Sequence, residues 1–189
     1  MTSAKVKNSK TENIKVRSLF IILFFLFSTL VAAKEHIVES SAGKIIFTTS
    51  SNEISQRKFF GADLWFTGKK ENGKRSVMSI LLNSKDIKLD QNVSDKDFKK
   101  HKQQMKKFSR ERSYTNINFQ PYQFQKINDN LGYHYFVWSY KKDNQEYLEQ
   151  SYYVECGNQF FIAKATTFKS NIDDQDKFKE IVETTKCIK

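Results

Sequence analysis

The 189-residue sequence holds one proline, six glycines, two cysteines and three histidines. The six glycines form no phosphate-cradling loop, which needs clustered glycines ahead of a helix. A Gly-x-Ser-x-Gly elbow for a serine nucleophile is absent as well. His36, His101 and His134 fall in no His-x-His or His-x-x-x-His spacing and have no cysteine nearby, so no metal site is read here. Ser-x-x-Lys pairs do occur at Ser41/Lys44, Ser55/Lys58 and Ser139/Lys142. With 18 serines and 27 lysines, such pairs arise by chance. No catalytic residue, metal or cofactor is therefore expected. There is no internal repeat and no low-complexity linker, and the aromatic content of 14% is too high for a disordered chain.

What the chain does have begins with an apolar block from Leu19 to Ala33 behind Lys5, Lys7, Lys10, Lys15 and Arg17. This is the layout of a secretory signal, and it is short for a membrane span. Leu30-Val31-Ala32-Ala33-Lys34 offers small residues for cleavage after Ala33, so residues 1–33 are expected to be a signal peptide and 34–189 one exported domain. The alternative is an uncleaved anchor, since the stretch is rich in Phe. No cysteine follows the block, which excludes acylation of a lipoprotein thiol.

Removing residues 1–33 takes away five basic and one acidic side chain, leaving 27 against 20, a formal charge of +7. Lysine outnumbers arginine 27 to 5 over the whole chain. The hydrated point charge of lysine suits a solvated surface better than bidentate phosphate recognition. Cys156 and Cys187 both lie in the exported part, where an oxidising compartment favours their pairing over two free thiols. Closing that loop would contribute roughly 3 to 4 kcal/mol in the chain-entropy model.

The mature chain opens as a meander. Lys44 to Thr49 and Phe59 to Thr67 read as strands, Gly68 to Lys74 as a turn with Asn72-Gly73 at its tip, and Ser76 to Asn83 as the returning strand. Ser94 stands in an N-cap position, and Phe98, His101, Met105 and Phe108 follow at helical spacing, predicting an amphipathic helix from about 95 to 112. Its other face carries Lys96, Lys99, Lys100, Lys102, Lys106, Lys107, Arg110 and Arg112. Four strands are then predicted at 122–127, 133–140, 146–155 and 160–168, joined by short polar turns. In 133–140, apolar and aromatic residues occupy both faces, so both sides of the sheet require cover. The last element, from Ile172 to the C-terminus, is expected to be a helix with Phe178, Ile181, Val182, Thr185 and Ile188 on one stripe. The disulfide would then tie its last turn to the hairpin at Cys156. His36 falls in a stretch expected to be flexible, while His101 and His134 are expected to be packed. The fold class is α+β, with a central antiparallel sheet of about six or seven strands flanked by two main helices, an α/β/α sandwich.

This order of elements, with the run Gly132-Tyr133-His134-Tyr135-Phe136-Val137-Trp138-Ser139-Tyr140 and a closing helix after Phe168-Lys169, resembles the PsbP-like and DcrB-like group of small exported α/β proteins. The resemblance implies a binding or assembly module with no shared catalytic residue. The chain departs from the group's pattern in its disulfide, and in having Ala62-Asp63-Leu64 before Trp65 where a proline is usual. The expectation is a non-enzymatic exported module of a bacterial envelope, holding another envelope protein through its sheet or its basic helix. The alternative is a polyanion or anionic-lipid binder using the basic helix face, with Lys99, Lys100, Lys102, Lys106, Lys107 and Arg110 as the contact residues. Nucleic acid is disfavoured as a partner because exported proteins rarely meet it.

Overall fold

The computed structural model describes residues 33–40, 43–50, 55–59, 61–71, 73–83, 95–157 and 159–188. Most of the expected signal peptide, Ser41, the Ser94 cap and the Asn72 turn position lie outside these residues, as do the side chains of Ser55 and Lys58. The elements run β1 (Lys34–Ser40), β2 (Gly43–Thr49), β3 (Ser55–Phe59), β4 (Ala62–Glu71), β5 (Lys74–Asn83), α1 (Asp95–Glu111), β6 (Thr115–Phe119), β7 (Gln123–Asn128), β8 (Leu131–Lys142), β9 (Gln145–Cys156), β10 (Gln159–Phe168), α2 (Ile172–Glu183) and β11 (Lys186–Ile188). The large sheet is ordered β3-β4-β5-β10-β9-β8-β6, with β7 sharing the outer edge of β8, and β1-β2-β11 form a second, small sheet. All described pairings are antiparallel.

Strand alternation in β8 explains the layering. Leu131 and Tyr133 join a core with Phe161, Ala163 and Ala165 of β10, Phe178, Ile181 and Val182 of α2, and Ile45 and Phe47 of β2. His134, Phe136 and Trp138 point the opposite way, toward α1 and the segment after it. Each fully buried Phe on either side contributes about 1.5 to 3 kcal/mol of transfer free energy. The sheet is thus two-sided, as the pattern at 133–140 predicts.

Four expectations are corrected. The single strand expected at 59–67 is two strands, because Gly61 takes φ +84° and lets the chain reverse between β3 and β4. The turn expected at 68–74 is shorter, since β4 runs on to Glu71 past a register shift between Thr67 and Lys70, and Gly73 at φ +79° carries the reversal. His36 is not in a flexible leader. It is buried in β1, edge-on to Phe66 at 5.1 Å and within 3.3 Å of the Thr49 hydroxyl. The closing helix ends at Glu183. The Thr184 and Thr185 hydroxyls donate back to the carbonyls of Glu180 and Ile181 at 2.8 Å, and the chain leaves as β11. Ile188 is consequently 45% exposed instead of lying on a buried stripe.

The disulfide joins Cys156 to Cys187 with their Cα atoms 5.5 Å apart. It ties β11, not a helical turn, to the end of β9, and so fastens the small sheet to the large one.

Candidate functional site

Helix α1 contains no Gly, Pro, Val, Ile or Thr, and its Lys, Gln, Met, Glu and Arg content favours helix. Its C-terminus closes in a Schellman arrangement. Ser113 takes φ +58°, its N–H donates to Arg110 O at 3.3 Å, and the Tyr114 N–H donates to Ser109 O at 2.9 Å. The accompanying apolar contact is Phe108 against Tyr114, centroids 6.2 Å apart. Tyr114 then stacks on Tyr140 of β8 at 4.2 Å and 5°. At the other end Phe98 stacks on Phe136 at 5.9 Å, and His101 lies 4.7 Å from the same ring. The helix is therefore held to the sheet by aromatic contacts near both ends.

This docking sorts the expected contact residues. Lys99, Lys100, Lys106, Lys107 and Arg110 are exposed and make no ion pair or side-chain hydrogen bond among the described residues. On a 3.6-residue helix, Lys99, Lys106 and Arg110 fall within about 40° of one another, with Lys100 and Lys107 on the adjoining arc. The ridge extends for about 16 Å at 1.5 Å per residue. Lys102 is separated from it, half-buried with its ammonium 4.6 Å from the Phe98 ring and 5.7 Å from the Phe119 ring. Arg112 is likewise turned back over Phe108 at 4.0 Å.

Two of the groups whose protonation the fold perturbs lie on the α1 side of the sheet. Burial raises the pKa of the Glu149 carboxyl, against the opposing pull of the Trp138 indole, Lys164 and Arg112. Burial lowers the pKa of His101, and Lys164 adds to the effect. His134 is buried between the rings of Tyr122 and Phe124 and hydrogen-bonded to the Tyr122 hydroxyl. These are packing roles, as expected for His101 and His134.

Among the described residues, the one Ser-x-x-Lys pair whose side chains are placed is not brought together. Ser139 and Lys142 are three residues apart on one strand and so project to opposite faces; Lys142 lies over Tyr114 on the α1 side, 5.6 Å from its ring. Among the described residues no three His, Cys, Asp or Glu side chains gather as a metal site. A depression of about 420 Å3 at the start of α2 is lined by Lys69, Lys70, Ser170, Asn171, Ile172 and Asp173, an open mixture of both charges.

No protein-family model and no curated sequence matches the chain. Solved structures do match. The cyanobacterial PsbP, CyanoP, of Synechocystis sp. PCC 6803 superposes with a TM-score of 0.53 at 10% identity, over 85% of this chain and 95% of that one. LpqN of Mycobacterium tuberculosis, described as involved in cell envelope biogenesis, superposes with a TM-score of 0.51 at 10% identity, over 84% of this chain and 92% of that one. The chain has the PsbP-like fold, which accords with the resemblance drawn from its order of elements. At this identity the likeness concerns the fold.

Proposed function

We propose that the protein is an exported, non-enzymatic binding or assembly module of a cell envelope, and that the outer ridge of α1 engages an acidic partner there. The observation that carries this reading is the ridge itself: five exposed cations without counter-ions among the described residues, on a helix whose opposite side is fixed to the sheet. Leaving such charge unpaired is a recurrent way to steer an oppositely charged partner. Export is supported by the leader composition and by the disulfide. The shared fold of LpqN, with its role in envelope biogenesis, supports the envelope setting.

A second reading is direct adsorption to anionic lipid. It is favoured by the make-up of the ridge, which interleaves Gln103 and Gln104 with the cations and offers no aromatic or aliphatic anchor. Protein interfaces centre on such anchors and are depleted of lysine, whereas a fluid charged surface requires neither.

In-cell cross-linking of the tagged protein tests the first reading, and vesicle binding of the purified protein tests the second. A reproducible protein partner that is lost when Lys99, Lys100, Lys106, Lys107 and Arg110 are replaced by Gln supports the first reading. Salt-sensitive retention of the purified protein on phosphatidylglycerol vesicles, lost in the same variant, supports the second. Partner capture that the five substitutions leave untouched removes the ridge from either account.

A further inference from the structure

Among the described residues the two sheets present five edge strands, and four of them are blunted. β3 has five residues with a register shift between Arg57 and Phe59. β6 has five with a shift between Thr115 and Asn118, and Asn116 at φ 52°. The pairing of β7 shifts between Lys126 and Asn128, and β11 is three residues long. Short length and bulges are two means of preventing strand addition, charged side chains being another. β1 has neither. Its seven residues pair with β2 in unbroken register from Lys34↔Thr49 to Ser40↔Gly43, and its other edge has no partner strand among the described residues.

The strand is also firmly seated. His36 is buried and Val38 packs against the core, while the Phe66 ring meets His36 edge-on. The opposite face presents Glu35, Ile37 and Glu39 in a row, with Ile37 49% exposed. Glu35 reaches Lys186 of β11 at 3.1 Å, and Glu39 reaches Lys44 of β2 at 3.9 Å. On β2 the residues opposite Glu39 and Ile37 are Lys44 and Ile46, so the existing partner already meets acid with base and aliphatic with aliphatic.

We propose that the free edge of β1 receives an extended segment of another protein as a fourth strand of the small sheet. That segment carries a basic residue two positions to either side of an aliphatic one. Backbone hydrogen bonds supply the attachment, and Glu35, Ile37 and Glu39 select the side chains. A second copy of this chain fits poorly. Two-fold pairing about Ile37 sets Glu35 against Glu39 of the other copy twice over, and like charges directly opposite are destabilising. A slip of one residue would turn the buried His36 and Val38 face against the exposed face.

The test uses two synthetic peptides, Thr-Lys-Thr-Ile-Thr-Lys-Thr and the same peptide with Glu in place of Lys, titrated against the purified protein. Backbone hydrogen exchange is followed through β1. The lysine peptide is expected to slow exchange at Lys34–Ser40 and to bind roughly tenfold tighter than the glutamate peptide, given two charge pairs gained against two repelled. Nonspecific attraction to an exported domain of formal charge +7 gives the reverse order, so the preference is diagnostic. Replacing Glu35 and Glu39 by Gln should abolish the preference, and replacing both by Lys should invert it. Unchanged exchange in β1, or equal affinity for both peptides, overturns the proposal. So does a concentration-dependent dimer in which the β1 amides are already protected, because the occupant is then a second copy.

Discussion

The carboxyl group of Asp174 occupies the place where a side chain on Gly68 would begin: a Cβ there would lie 2.6 Å from Cγ and 2.8 Å from Oδ1 of Asp174. Asp174 is fully buried in the first turn of α2. Its Oδ2 accepts from the Lys69 N–H at 3.2 Å and from the Asn171 side-chain amide at 2.9 Å, while its own N–H donates to Asn171 Oδ1 at 3.0 Å. One carboxylate thus holds the irregular stretch of β4 against the start of the last helix. Gly68→Ala should cost about 1 to 3 kcal/mol in urea unfolding. In an Asp174→Ala background the same change should cost clearly less, because the two sites share one contact. Additive losses would show that the close approach is not what limits Gly68.

Ser113 stands at the left-handed position that ends α1, where glycine is the residue without steric penalty. Ser113→Gly is expected to stabilise the protein by about 0.5 to 1 kcal/mol, read as a higher denaturation midpoint with unchanged m-value. A lower midpoint would mean that the side chain contributes more than the backbone conformation costs.

Cys156 and Cys187 are 31 residues apart, and the bridge fastens a three-residue strand that otherwise pairs only with β2 and makes one surface ion pair among the described residues. Replacing both by Ser should remove about 3 to 4 kcal/mol. Hydrogen exchange should accelerate first in Lys186–Ile188 and in β2, since the small sheet loses its covalent link. Intact mass without reductant should find no alkylatable thiol in the unmodified protein.

His101 and Glu149 should tilt the pH dependence of stability in opposite directions. His101 has its folded pKa below 6.5, so the unfolded chain binds more protons as pH falls from that value. Stability from this group is present above pH 6.5 and declines below it. Glu149 has its folded pKa above 4.5, so the folded chain binds more protons between 4.5 and the raised value. Stability from this group is present at low pH and declines as pH rises through that interval. His101→Gln should flatten the fall on the acid side of 6.5, and Glu149→Gln should flatten the decline above 4.5, both read from urea midpoints across pH 4 to 8. Profiles that coincide with the unmodified protein would refute the shifted protonation of both groups.

The local elements were legible where one periodicity dominated a long segment. The stripe of Phe98, His101, Met105 and Phe108 marked α1 to within a residue at each end, and the alternation at 133–140 marked both β8 and its two covered faces. The basic ridge was legible for the same reason, except for Lys102 and for Arg112, which turns back over Phe108. The turn of Lys102 toward Phe98 depends on Phe119, which arrives on β6 from another part of the chain. That strand itself carried no signal, because five mostly exposed residues with a register shift leave little alternation to read.

Local sequence pattern sufficed for the long periodic elements α1, β8, β9 and β10, for the turn at Gly73 and for the pairing of the two cysteines. Tertiary packing determines how residues far apart in the chain complete one another. The ends of the described chain meet in one sheet, with β1 and β11 on either side of β2, which buries His36 and draws Cys187 into a strand. Gly68 and Asp174, more than a hundred residues apart, share one volume. Periodicity reports a residue's neighbours within about one turn or one strand, whereas burial and close approach are set by whichever distant segment packs there.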